Sequence, residues 1–90
     1  MRPASRCNDD TAGGTIRPRQ TFVTIDGQPW AIIGSPVDPH PPCPEAPEHC
    51  APIMATGSLL ATIDGVPVCR EGDLASCGHA ATGRPWIECD

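Results

Sequence analysis

The chain has 90 residues, a formal net charge of −5 and 39% hydrophobic residues, with one Phe, two Trp and no Tyr. That length is enough for one small domain, residues 1–90, whose apolar core alone gives thin stability, so a further staple is expected. The charge excludes a nucleic-acid face, since all six basic residues are scattered arginines and phosphates demand a clustered basic surface. No stretch approaches the ~20 apolar residues of a membrane span.

Six Cys and three His are many for this length, and they make disulfides or a metal the candidate staples. The first 20 residues contain no apolar run, so no secretory leader is expected. A reducing cytosol at synthesis favours metal ligation over a disulfide framework.

In chain order, the first element is a β-prone segment at Pro3 to Asp9, "PASRCND". The next is a hairpin over about residues 21–33: "TFVTI", then Asp26-Gly27, then "QPWAII". Asp-Gly between two β-prone runs is a strong hairpin signal, because a type I′ turn needs positive φ at both central positions. After Gly34-Ser35 comes a Pro-rich loop, 36–52, holding half of the chain's 12 Pro between Pro39 and Pro52. A second hairpin follows over about 59–71, with Thr62-Ile63-Asp64-Gly65-Val66-Pro67 repeating Thr24-Ile25-Asp26-Gly27-Gln28-Pro29. A shorter loop, 74–83, leads to "TGRPWIECD" at 82–90, which matches "TGSLLATID" at 56–64 and stops at the turn Asp. Its missing half is "PASRCND", which matches "PVCREGD" at 67–73 with a one-residue slip. Pairing of the N- and C-terminal strands would complete a third hairpin and close the sheet edges. The predicted fold is therefore all-β, with three hairpins in a pseudo-threefold body. Such a body suits the end of a trimer, because each hairpin can face one subunit equivalently.

The segments after the turns read Pro3-Ala4-Ser5-Arg6, Pro29-Trp30-Ala31-Ile32 and Pro67-Val68-Cys69-Arg70, the last continuing Glu71-Gly72-Asp73. With the Asp-Gly turns and the downstream "SCG", they resemble the PAAR-repeat family, named for Pro-Ala-Ala-Arg. The resemblance spans nearly the whole chain. It implies a small three-sided β-cone with a zinc ion near its apex. Such a cone caps and sharpens the trimeric valine-glycine-repeat spike of a bacterial type VI secretion system or related contractile tail. It further implies assembly in the bacterial cytoplasm, export on the spike, transient contact with a target membrane, and effector proteins as further partners. No toxin domain is expected within these residues. Two departures stand out: Ala12-Gly13-Gly14 where the family often has His-Gly-Gly, and Ile32 in place of the motif's Arg.

The family's usual ligand set is three His and one Cys. All three His of this chain lie in the loops expected to converge at the apex: His40 and His49 in the first, His79 in the second beside Cys77. The expected ligands are His40, His49, Cys77 and His79. In that set the loops supply what the first repeat lacks. Zinc closes a structural site with four N or S ligands, and its binding free energy becomes folding free energy; iron is the alternative, though thiolate with imidazole favours zinc. Cys43 or Cys50 replacing a His is the rival set, and a Cys43–Cys50 disulfide is the other use of that pair. Cys7, Cys69 and Cys89 fall within strands and read as small packing hydrophobes.

Catalysis is not expected. Glu48-His49-Cys50, or Cys77 with His79, offers a thiol and a base, and a three-ligand zinc would leave an open position. A short chain with a convex apex has little room for a substrate pocket, so the acidic Asp38, Glu45 and Glu48 read as loop-solvating. The alternative functions are a free-standing zinc- or disulfide-stabilised interaction module and, behind it, a small zinc or thiol hydrolase. A spike cap needs an apolar base near the turns, with Trp30, Val66 and Trp86 as candidate contributors.

Overall fold

The computed structural model describes residues 2–41, 43, 45–58 and 60–89. Asp90, and Leu59 at the head of the second expected hairpin, lie outside the described residues. Among the described residues, six short strands, β1 (Arg2–Ala4), β2 (Thr24–Ile25), β3 (Gln28–Pro29), β4 (Thr62–Ile63), β5 (Val66–Pro67) and β6 (Arg84–Cys89), form three antiparallel pairs. A single 3₁₀ turn, Pro47–His49, is the only helical element among the described residues. The protein is all-β, as expected.

Both Asp-Gly turns take the conformation that requires these residues. Asp26 and Gly27 have φ of 47° and 89°, Asp64 and Gly65 of 52° and 79°, the double left-handed pair of a type I′ turn. The flanking pairs are Thr24↔Pro29 with Ile25↔Gln28, and Thr62↔Pro67 with Ile63↔Val66. The split hairpin repeats them across the termini: Pro3↔Glu88 and Arg2↔Cys89.

The regular ladders are shorter than the expected 21–33 and 59–71: Trp30 N–H to the Val23 carbonyl (3.1 Å) and Val68 N–H to the Ala61 carbonyl (3.0 Å) extend each hairpin, while other backbone groups of the strands turn to neighbouring repeats. Ser5 N–H donates to the Cys69 carbonyl (3.1 Å), Cys69 N–H to Ala31 (2.8 Å), and Ala31 N–H to Ser5 (3.0 Å). These three bonds close a cycle. A parallel cycle runs Cys7 to Pro29, Ile33 to Pro67 and Glu71 to Pro3 (2.8, 3.0 and 2.7 Å). Its acceptors are the motif prolines, which have no N–H but keep a full carbonyl. The three repeats therefore pair in rotation, and the sheet edges are used internally. Principal extents of 35 × 24 × 23 Å, one long axis and two nearly equal short ones, are compatible with a cone about that pseudo-threefold axis.

Repeat equivalence continues into the core. Ala12, Val37 and Ala75 occupy matching positions, as do Ile16, Met54 and Ala81, and all six join Cys7, Ala31 and Cys69 in one buried cluster. Burial pushes the Cys7 thiol up to about 11 and the Cys69 thiol up to about 12, so both are neutral packing groups. The side chain of Cys89 lies outside the described set. A second cluster, Ile32, Ile63 and Val68, packs with Val23, Trp30, Ala61 and Val66.

A turn after each ring segment repeats as well. Arg6, Ile32 and Arg70 N–H donate to Asp10 Oδ2 (2.7 Å), Ser35 Oγ (3.0 Å) and Asp73 Oδ2 (2.7 Å), all three acceptors buried. The missing Arg at Ile32 is explained here. Asp73 pairs with Arg70 Nε (3.1 Å) and Arg2 (3.3 Å), and Asp10 with Arg84 (2.7 Å), whereas the second repeat replaces both charges, using Ile32 with Ser35. A buried carboxylate without a guanidinium is costly, so the two substitutions compensate. In the first repeat the one-residue slip sets Arg6 Nε against Asp9 instead, at 2.8 Å. That is a charge contact without hydrogen-bond alignment.

Candidate metal site

In each repeat the chain runs from the turn, through the ring, into an inter-repeat loop, so the loops gather on the side of the ring away from the Asp-Gly turns. The long loop carries His40 and His49; the short one carries Cys77 and His79. Ligand atoms of these four residues all lie within 4.8 Å of one another. His40 and His49 are buried, 8% and 9% exposed, Cys77 is half-buried and His79 exposed.

The donor set, three imidazoles and a thiol, could hold a tetrahedral metal ion. His40 Nε2 lies 3.6 Å from Cys77 Sγ and 2.9 Å from His49 Nδ1. Zinc–nitrogen and zinc–sulfur bonds of about 2.05 and 2.3 Å put the N–S edge of a tetrahedron at ~3.6 Å and the N–N edge at ~3.3 Å. Ring centroids of the three histidines stand 4.9, 4.9 and 5.1 Å apart, mutually tilted. His40 Nδ1 meets the Asp38 carbonyl at 3.0 Å, a bond that requires Nδ1–H and leaves the lone pair of Nε2 facing the cluster. Asp38 is held in turn by Arg17, whose Nε reaches both carboxylate oxygens at 3.1 Å and whose Nη2 reaches one at 2.8 Å. The Arg17 hydrogen bond holds the Asp38 carboxyl below the usual range. Asp38 is therefore more than a solvating residue of the loop.

Repeat one contributes glycines. A Cβ on Gly13, at φ 88°, would stand 2.7 Å from His40 Nε2 and 2.6 Å from His79 Cδ2. Gly13 is thus the floor on which two imidazoles rest. The departure from His-Gly-Gly leaves the first repeat with backbone rather than a ligand here. Sequence reasoning noted Ala12-Gly13-Gly14 but not this role.

Cys43 and Cys50 form a disulfide, with Cα atoms 5.2 Å apart. That settles the alternatives for this pair: neither thiol competes with the histidines in this structure, and the preference for metal ligation over disulfides fails at these two cysteines. It also removes Cys50 as a nucleophile beside His49. The Glu48 side chain lies outside the described set; Glu45 is exposed.

On the turn side, the residues expected at an apolar base divide. Trp30 and Val66 are half-buried against the second cluster, with the Trp30 indole N–H donating to the Cys69 carbonyl at 3.2 Å. Trp86 is 56% exposed. Its indole N–H donates to Asp26 Oδ2 at 2.8 Å, and the Arg6 and Arg84 guanidinium groups lie over its ring at 5.9 and 5.6 Å. Hairpin register makes Phe22 and Leu60 the equivalents of Trp86, each four residues before the turn Asp. They are 66% and 79% exposed. Reading the repeats column by column would have found this set.

Fold and site together define a closed three-repeat β-body whose inter-repeat loops meet in a His₃Cys cluster able to hold a metal ion. The family model for the PAAR motif matches residues 8–81, and the chain belongs to that family. No curated protein matches it.

Proposed function

We propose that the protein is a structural tip that caps the trimeric valine-glycine-repeat spike of a type VI secretion system, with one zinc ion held by His40, His49, Cys77 and His79. Membership of the family points to a spike-tip role. The observation that carries the finer reading is the trio Phe22, Leu60 and Trp86, three large apolar side chains left exposed at equivalent positions of a threefold body. A monomer gains nothing from repeating such exposure three times, whereas a trimer offers three matching sites. On this reading one tip sits on each trimer. It is assembled in the cytoplasm and then exported on the spike with its effectors.

The role is mechanical, not catalytic. The cyclic backbone bonds give a body that transmits load, and the pinned loops give it a point that meets the target membrane during contraction. Zinc, when bound, supplies a closed structural link between the two loops. The decisive experiment is size-exclusion chromatography with light scattering on the mixed full-length tip and spike. One tip per trimer is expected, with Leu60→Asp and Phe22→Asp weakening binding at least tenfold. Because both positions are exposed, the variants should keep their stability within about 0.5 kcal/mol. A spike that ignores the tip, or binding indifferent to these substitutions, would favour the free-standing module that the disulfide also suits.

A further inference from the structure

Between His40 and His49 the long loop has little apolar support; its fully buried Pro52 lies beyond His49. No residue between Val37 and Met54 belongs to either apolar cluster among the described residues. Besides the ring contact of His40 Nε2 with His49 Nδ1 (2.9 Å), what joins the two histidines is a backbone bond from His40 N–H to the His49 carbonyl (3.1 Å), the bond from Cys43 N–H to the His40 carbonyl (3.1 Å), and the Pro47–His49 turn closed by Cys50 N–H on Pro47 (3.0 Å). The Cys43–Cys50 disulfide fastens these bonds together, one end beside His49 and the other hydrogen-bonded to His40. Cys77 and His79 need no such help, because their loop is self-tied by Ala75 N–H to His79 O and Gly78 N–H to Ala75 O, both 2.9 Å.

We propose that the Cys43–Cys50 disulfide and the metal site are thermodynamically coupled, so that the oxidised loop binds metal more tightly and the bound metal protects the disulfide from reduction. The inference rests on the metal reading of the His₃Cys cluster. Opening the disulfide releases the segment between the two histidines, and ordering it again then falls on the metal. Linkage makes the effect reciprocal: whatever factor oxidation adds to metal affinity, metal adds to the disulfide's resistance to reduction. About tenfold is expected in affinity, equivalent for this two-electron couple to about 30 mV. The redox step is ordinary thiol–disulfide exchange. Two protein thiols become one S–S bond while oxidised glutathione, taking the two electrons and two protons, becomes two reduced glutathiones. In the other direction a phosphine reductant gives an electron pair to sulfur, the S–S bond breaks, and water supplies the phosphine oxide oxygen and the two thiol protons.

The test measures zinc affinity of the full chain by competition with a chromophoric chelator in three forms: oxidised, phosphine-reduced, and the Cys43→Ser/Cys50→Ser double variant. The oxidised form should bind at least tenfold more tightly than the double variant. A glutathione redox titration of the wild-type disulfide should move about 30 mV more negative with zinc. Equal affinity in all three forms overturns the coupling while leaving the metal site standing. Tighter binding by the reduced protein overturns it too, since freed thiolates would then be joining the site. Oxidised protein that takes no zinc ends both readings. Should the double variant fail to fold by circular dichroism, the wild-type titration decides alone, and no shift with zinc overturns the coupling.

Discussion

Replacing Gly13 by Ala tests the cluster through its floor without touching a ligand. The new methyl would stand 2.6–2.9 Å from His79 and His40 ring atoms, so both imidazoles must withdraw by roughly 0.5–0.8 Å to regain ordinary van der Waals separation. Metal sites tolerate displacements of only ~0.2 Å, and disturbing groups that position ligands costs about 10–100-fold in affinity. The backbone contributes separately, because φ is 88° at Gly13 and a side chain there costs about 1 kcal/mol. Gly27→Ala is the matched control: φ is 89° and nothing lies within 4 Å of its added Cβ. Gly27→Ala should therefore lose about 1 kcal/mol and keep its metal, while Gly13→Ala should lose ~2–4 kcal/mol once overpacking is added. Thermal unfolding would resolve that difference at about 4–8 °C per kcal/mol. Scans with zinc and with chelator should bring the two variants closer together in chelator, where the imidazoles can move aside. Elemental analysis of each protein reports the ion directly. If Gly13→Ala keeps one zinc per chain and melts together with Gly27→Ala, the histidines do not meet over Gly13 and the cluster geometry is wrong.

Purified wild-type protein should carry about one zinc per chain by elemental mass spectrometry, lost in both His79→Ala and Cys77→Ser together with melting temperature; a metal-free native protein of unchanged stability refutes the site. Asp73 gives a pH dependence. Burial opposes its ionisation, but hydrogen bonds from the Arg70 side chain and N–H and from the Thr56 hydroxyl outweigh that and hold its carboxyl below the usual range. Its contribution is therefore full above the unfolded value near 4 and lost as pH falls through the folded one. Asp73→Ala should cost about 2–4 kcal/mol at pH 7, and a smaller difference from wild type below pH 3, read by denaturant titration; an equal difference at both pH values would refute the account. Alkylation at pH 8 should spare Cys7 and Cys69 until the protein unfolds, because burial raises both thiols to about 11 and 12. Cys77 should react in chelator and be protected by zinc, as peptide mapping would show.

How much of this was legible depended on whether a signal was local. Asp26-Gly27 and Asp64-Gly65 dictate their turns by φ alone, so the hairpins, and the split third one, could be read directly. The ring of bonds through Ser5, Ala31 and Cys69 could not, since backbone pairing between repeats leaves no residue-type signature. That is why the hairpins looked longer in sequence than they are. His40, His49, Cys77 and His79 could be gathered because a closed threefold body sends its loops to one side and because the resemblance to the family implied three His and one Cys. Gly13 could not be assigned as their floor, because a glycine read alone signals freedom, not what lies above it. For Cys43 and Cys50, spacing allowed either ligand or disulfide and the expected reducing compartment favoured ligation; only the loop's path brought their Cα atoms to 5.2 Å.

The three repeats have diverged unevenly, and the pattern has a physical reading. Around the turns they keep one register, one ring of bonds and one column of exposed apolar side chains at Phe22, Leu60 and Trp86. Beyond the ring they part company: the first repeat offers Gly13, the second an insertion of about a dozen residues with a disulfide, the third a tight loop with Cys77 and His79. A tetrahedral four-donor site has no need of threefold symmetry, since four ligands cannot be shared equally among three repeats. The loop side is thus free to place two donors from one repeat and two from another, provided the first leaves room. A surface meeting a trimer has no such freedom, because a change in one repeat breaks its equivalence with the other two. Symmetry kept on one side of the ring and abandoned on the other is what the proposed metal-pinned point on a trimeric seat requires.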